Sequence, residues 1–125
     1  NFLQDLKYEN LSDCNIKIII FIAKKLNINT KFLNASDFSI NEKRTQKVIK
    51  ILEKSGAKEY ISPIGGKEYL IEDSFQKYSS AKLTINDYKN RKYNQKNSKE
   101  FISNLSIIDA IANSGWIGAA KYVMK

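Results

Sequence analysis

Histidine is absent from this sequence of 125 residues, and cysteine, proline, methionine and tryptophan occur once each. Without histidine the chain lacks the commonest general base, the usual catalytic triads and most transition-metal ligand sets. Chemistry inside this segment must rest on Asp, Glu, Tyr, Ser, Lys or backbone amides. The only metal it could hold is a hard cation on carboxylates, and no cofactor is named by any motif. The lone Cys14 makes neither an intrachain disulfide nor a zinc site, which fits a reducing cytoplasm. Placed before an apolar helix, it reads as inert. No long apolar run exists: the longest, residues 18–23, falls short of the ~20 residues a spanning helix needs. It is expected to be buried core, and membrane insertion is not expected. Nothing resembles a secretory h-region. Internal repeats and low-complexity linkers are also lacking. The chain opens on Asn1-Phe2-Leu3-Gln4 without an initiator Met, which predicts the C-terminal part of a longer protein.

Arginine is nearly missing too. Of 21 basic residues only Arg44 and Arg91 are arginine, against 13 acidic residues and a formal charge of +8. Nucleic-acid binders lean on arginine for bidentate phosphate and base contacts. Lys, Ile and Asn together supply 50 of the 125 residues, the signature of an A·T-rich genome. The charge is therefore read mainly as solvated lysine. The field it creates suits acidic small molecules, a nucleotide-linked sugar or coenzyme A, as well as it suits RNA. A nucleic-acid partner is the less favoured reading. Oligomeric state is not readable.

What is present alternates. Ser12-Asp13 offers an N-cap, and Ile16, Ile19, Ile20, Ala23 and Leu26 recur at helical spacing, predicting a buried helix over 13–27. Thr30-Lys31-Phe32-Leu33 is a short strand candidate. Asn41 is positioned to cap a second helix with Thr45, Val48, Ile49 and Leu52 inward and Gly56 as its C-terminal glycine. Residues 58–62 read as a strand stopped by Pro63, 67–70 as a short helix, 73–77 as helix or turn, and 81–85 as a third strand. Residues 87–100 are polar and irregular. A helix over 105–113 ends at Gly115, and 116–124 is the last helix. This order predicts one α/β domain over 1–125, with a mostly parallel sheet and an incomplete Rossmann-like character. Three strands make a thin sheet, so further strands are expected from elsewhere.

Three stretches hold candidate chemistry. Tyr60-Ile61-Ser62-Pro63-Ile64-Gly65-Gly66 runs off a strand end, where open parallel sheets bind ligands. A glycine pair there allows backbone amides to approach a phosphate. The plainer alternative is a tight turn requiring positive φ. In Asn104-Leu105-Ser106-Ile107-Ile108-Asp109, Asp109 shares a helix face with Asn113. A carboxylate beside an amide can act as a base or orient a sugar hydroxyl. The alternative is reciprocal helix capping by Ser106 and Asp109. The basic, aromatic segment 88–96 looks like a stacking strip, a flexible active-site loop or a solvated loop. Tyr69 and Trp116 could each stack on a sugar ring or sit in the core.

The combination of Lys25-Leu26-Asn27-Ile28, Gly56-Ala57, Tyr60-Ile61, Pro63, Gly65-Gly66, Tyr88, Phe101 and residues 104–109 resembles the C-terminal half of the WbqC-like proteins. The likeness runs over most of the chain. It departs where Lys67-Glu68-Tyr69 follows Gly66 and where Ser103 replaces a common proline; the family's Gln-Pro-rich N-terminal motif is missing from this sequence. The resemblance implies a role in bacterial surface polysaccharide (O-antigen) synthesis, making or decorating sugars. On that footing Asp109 and Ser106 are the catalytic candidates, and Tyr60, Gly65, Gly66, Tyr69, Asn104 and Asn113 the substrate-binding ones. The competing classes are a basic RNA or single-stranded DNA module and a non-catalytic subunit of a glycan-synthesis complex.

Overall fold

The computed structural model describes residues 5–96 and 98–124. The opening residues 1–4, and Asn97 within the irregular segment, lie outside the described residues. The chain divides into two compact units, one of Asn1–Phe32 with Asn90–Lys125 and one of Leu33–Lys89.

In the unit Leu33–Lys89, a 3-10 turn at Ala35–Phe38 precedes α2 (Arg44–Ser55). Then come β1 (Glu59–Pro63), a 3-10 turn at Ile64–Gly66, α3 (Lys67–Glu72), α4 (Phe75–Tyr78) and β2 (Lys82–Asn86). The two strands pair in parallel, with Glu59 opposite Lys82, Ile61 opposite Thr84 and Pro63 opposite Asn86. Parallel strands need a crossover, and α3 and α4 supply it, so 59–86 is a βαβ unit. The predicted inner stripe of α2 is the observed one: Thr45, Ile49 and Leu52 are buried, with Val48 packed beside them. They meet Leu70, Phe75 and Ala81 in one core, with Tyr60, Tyr69 and Leu83 at its border. Gly56 ends α2 with φ 68°. The Ala57 N–H donates to the Leu52 carbonyl and the Gly56 N–H to that of Glu53, which makes the ending a Schellman motif. Asn41 does not cap this helix; Lys43 occupies the cap position without a side-chain bond. The start is held by tertiary ties instead. Thr45 Oγ1 donates to Asp73 Oδ2 at 2.8 Å, and the Arg44 guanidinium reaches Asp73 and Glu72 at 3.1 and 3.2 Å.

In the unit of Asn1–Phe32 and Asn90–Lys125, α1 spans Leu11–Lys25 and α5 spans Ile107–Val123. The α1 cap is Asn10, whose side chain accepts from the Asp13 N–H. Ser12 and Asp13 fall inside the first turn, where the Asp13 carboxylate suits the helix dipole and bonds Lys17 at 2.7 Å. The Lys17 bond, more than any other influence, holds the Asp13 carboxyl below its usual range. Asn27, at φ 58°, closes the far end. Its N–H bonds the Lys24 carbonyl and the Ile28 N–H that of Ala23, a second Schellman ending with asparagine as the left-handed residue. The helix is less buried than its apolar spacing predicts. Ala23 and Leu26 are buried, but Ile16 and Ile19 are 37% and 56% exposed. The reason is the small core they would join: Leu26, Ala110 and Ala119, bordered by Ile22, Ile28, Ile107, Ile111 and Tyr122.

One further expectation is corrected. The strand candidate 30–33 forms no strand, and among the described residues the sheet has two strands rather than three. The division between the units falls within that segment, after Phe32. The predicted pair of C-terminal helices is observed: Ile107–Val123 is two helices meeting at a kink at Gly115, which adopts φ 66° and ψ 177°.

No helix among the described residues is long and apolar enough to cross a membrane. The fold class is α/β, with a two-stranded parallel sheet and its crossover helices.

Candidate functional site

The candidate residues divide between the two units. Asn104, Ser106, Asp109 and Asn113 belong to the unit containing α5. Tyr60, Gly65, Gly66 and Tyr69 belong to the βαβ unit.

Asp109 is the hub of the first cluster. Its Oδ2 accepts from the Tyr93 hydroxyl at 2.6 Å and from Gln95 Nε2 at 3.1 Å. Its Oδ1 accepts from Asn113 Nδ2 at 3.1 Å. Asn113 is four residues along α5, so the shared face expected from the spacing is real. Asn113 Oδ1 in turn accepts from the Lys96 N–H at 2.7 Å. Gln95 pairs with both backbone groups of Ile102, at 3.0 Å to the carbonyl and 2.8 Å from the N–H. The segment that carries no regular structure is thus tied to α5 through polar side chains. Tyr93 also packs edge-on against Phe101 and Tyr122, with ring centroids 5.3 and 5.1 Å away. Arg91 lies over the Tyr122 ring and donates to the Tyr122 carbonyl.

Ser106 caps α5 by accepting from the Ile108 N–H at 3.2 Å. The reciprocal half of the expected capping pair is different. The Asp109 backbone N–H meets the Ser106 carbonyl at 2.9 Å, while its carboxylate serves Tyr93, Gln95 and Asn113. Asn104 takes a left-handed conformation, φ 60°, and accepts from Asn90 at 2.6 Å. An ionised carboxylate has about four acceptor positions. Three are used by described residues here, so Oδ1 retains one for a hydroxyl or amine.

In the second cluster the glycine pair follows β1. Neither glycine has positive φ; among the glycines only Gly56 and Gly115 do. The turn-conformation reading is overturned. Gly66 is required for space: a Cβ there would lie 2.4 Å from Ser62 Oγ and 3.5 Å from the Tyr69 ring. Gly65 is open on all sides. Tyr69 is half-buried, and that burial pushes its hydroxyl above the usual tyrosine range, with Tyr60 adding a hydrogen bond. Tyr60 leans on Phe75 at 5.9 Å, so it is part of the core border as well as of the cluster.

Trp116, also singled out by its chemistry, meets the Phe21 ring edge-on at 5.8 Å. Cys14 is a free thiol. Among the described residues no group of three His, Cys, Asp or Glu side chains could hold a metal.

Periodicity missed Tyr93 and Gln95, which lie in the irregular segment. The only available signal was their polar and aromatic character within it. It also missed Asp73, whose carboxyl sits below its ordinary range through the Thr45 hydroxyl and the Arg44 guanidinium.

The α/β class and a polar cluster anchored on one helix define this chain as a small α/β protein with a carboxylate-centred site. The chain belongs to the WbqC-like protein family, whose model matches residues 1–120. It is 26% identical over 109 residues to the uncharacterized protein Rv1507c of Mycobacterium tuberculosis. That alignment covers 87% of this chain and 47% of the relative, so the chain spans about half the relative's length. No solved structure matches.

Proposed function

We propose that this chain is part of an enzyme of bacterial surface polysaccharide (O-antigen) synthesis, working in the cytoplasm on a nucleotide-linked amino sugar by acyl or aminoacyl transfer. The observation that carries the proposal is the Asp109 cluster, in a chain that belongs to the WbqC-like family. A carboxylate held by three donors suits an orienting role: its remaining acceptor position takes a hydroxyl or the amine of the sugar. In the transfer the amine nitrogen forms the new C–N bond, the donor's leaving group departs, and the amine gives up a proton. Ser106, whose hydroxyl proton remains available to donate, and Asn104 and Asn113 supply polar groups beside Asp109. Within the βαβ unit by itself, Tyr60, Tyr69 and the Gly65-Gly66 segment are the substrate-binding candidates. The unit containing Asp109 holds eleven basic against five acidic residues. That surplus draws in an acidic donor.

The test is a thermal-shift screen of the protein with nucleotide-linked amino sugars, acyl-coenzyme A compounds and short RNA. A ligand at 100 times its dissociation constant adds about 2.7 kcal/mol of stability. The expected outcome is a shift with the nucleotide sugar that Asp109→Asn removes. A shift with RNA alone, lost as salt rises, points to the binding module. Silence from every ligand points to an assembly subunit.

A further inference from the structure

At the amino ends of the two strands, opposite the glycine pair, the βαβ unit has a cavity of about 300 Å³. It is lined by the apolar Leu52, Ala57 and Ala81 and by Glu53, Tyr78, Ser79 and Ser80. The Schellman ending of α2 builds one side, because Gly56 turns the chain back so that Ala57 sits under Leu52. The connection from α4 into β2 builds the other. We propose that this cavity binds a neutral, hydroxyl-rich ring the size of one monosaccharide, at a site separate from the Asp109 cluster.

Four observations carry this. The volume lies at the lower end of the roughly 300–1,000 Å³ range of ligand pockets, which fits one sugar ring and leaves no room for a nucleotide as well. Apolar side chains and the Tyr78 ring in one lining match the C–H face of a pyranose, while the hydroxyls of Tyr78, Ser79 and Ser80 match its edge. Hydrogen-bonding capacity is unspent. Glu53 Oε2 is bonded to Lys50 at 2.8 Å, but Oε1, the Tyr78 hydroxyl and the Ser80 hydroxyl have no bond among the described residues. Ser79 Oγ accepts from the Ala81 N–H at 3.2 Å and keeps its proton to donate. Finally, the charges at the rim are already matched. Lys50 neutralises Glu53, and the Lys77 ammonium sits 5.4 Å from the centroid of the Tyr78 ring. A neutral polyol suits such a rim better than an anion or a cation does.

The proposal does not depend on the role assigned to Asp109. It is tested on the full chain, uniformly labelled with ¹⁵N, by titrating methyl glucoside and N-acetylglucosamine and following the backbone amides. Saturable shifts are expected at Glu53, Ala57, Ser79, Ser80 and Ala81, with the Gly65 and Gly66 amides unmoved. Tyr78→Ala removes these shifts and Glu53→Ala weakens binding about tenfold. Both side chains are exposed, so the amide spectrum should otherwise be retained. Absence of saturable shifts, or shifts that both variants leave intact, overturns the proposal. Inorganic phosphate moving the same amides as strongly as the sugars would also overturn it, since the cavity would then be an anion site.

Discussion

The two units are held together by different means. Leu33–Lys89 is continuous in sequence and closes around large apolar side chains, with Phe75 and Leu70 each 1% exposed. The other unit is built from two distant segments. Its buried residues are Leu26 and three alanines, Ala23, Ala110 and Ala119, and its irregular segment is fastened by Asp109, Gln95 and Asn113 through directional polar bonds. A long-range assembly with little apolar area to bury specifies its geometry through hydrogen bonds. An unmade bond there costs more than a made one contributes.

The sharpest way to test that contrast is to remove the centre of the apolar core. Phe75→Ala should cost about 3–5 kcal/mol in denaturant unfolding, because the cavity left behind cannot fully collapse. A loss below about 1 kcal/mol, within the range of volume-conserving swaps, would mean the core is not what holds this unit. The polar counterpart is Asp109→Ala, which removes the acceptor that Tyr93, Gln95 and Asn113 share. It should cost about 1–3 kcal/mol and speed hydrogen exchange at the Lys96 and Ile102 amides first. If exchange there stays unchanged, the segment is held by its aromatic packing alone.

Smaller effects separate the two glycines. Gly66→Ala should cost about 1–3 kcal/mol by overpacking against Ser62, and adding Ser62→Ala should recover most of it. Gly65→Ala should stay within about 0.5 kcal/mol. Equal effects at both positions would return the glycine pair to a conformational explanation. The smallest expected effect is a pH dependence. The Asp73 carboxyl lies below its ordinary value of 3.8 in the folded chain, chiefly through the Thr45 hydroxyl and then Arg44. A depressed carboxylate contributes stability above its unfolded value, and that contribution is lost as pH falls through the folded value. Thr45→Val should therefore lower the melting temperature at neutral pH, and the gap to the parent chain should narrow in acid. A gap that is constant down to the lowest accessible pH would exclude the link.

How much could be read from residues alone follows the same division. The stripe Thr45, Val48, Ile49, Leu52 and the Gly56 ending were readable because local period and φ requirements are encoded within a few positions. Strand pairing of 59–63 with 82–86 followed from the alternation of strand and helix. Failures occurred where tertiary structure decides. Asn41 looks like a cap but loses to the ties of Arg44 and Thr45 to Asp73. Residues 30–33 have strand character, but the division between the two units falls inside them. For the candidate site, the face shared by Asp109 and Asn113 was visible in the spacing, and the Ser106 cap in its motif. The partners Tyr93 and Gln95 lie 16 and 14 positions from Asp109, inside a segment with no period, so no local rule reaches them. Gly66 shows the same limit: its need for space depends on Ser62, which a conformational rule does not consult.

The break in α5 sets the angular phase of the helix. At about 100° per residue, Ala110 and Ala119 stand half a turn apart, so an unbroken helix would present them to opposite sides. Both are nevertheless buried in one cluster with Leu26. Gly115, with backbone angles of 66° and 177° in a region open essentially only to glycine, resets the phase between them. The C-terminal stretch therefore behaves as two short segments in register with one core, and that register is stored in a single residue whose role is conformational, since a Cβ there would meet nothing within 4 Å.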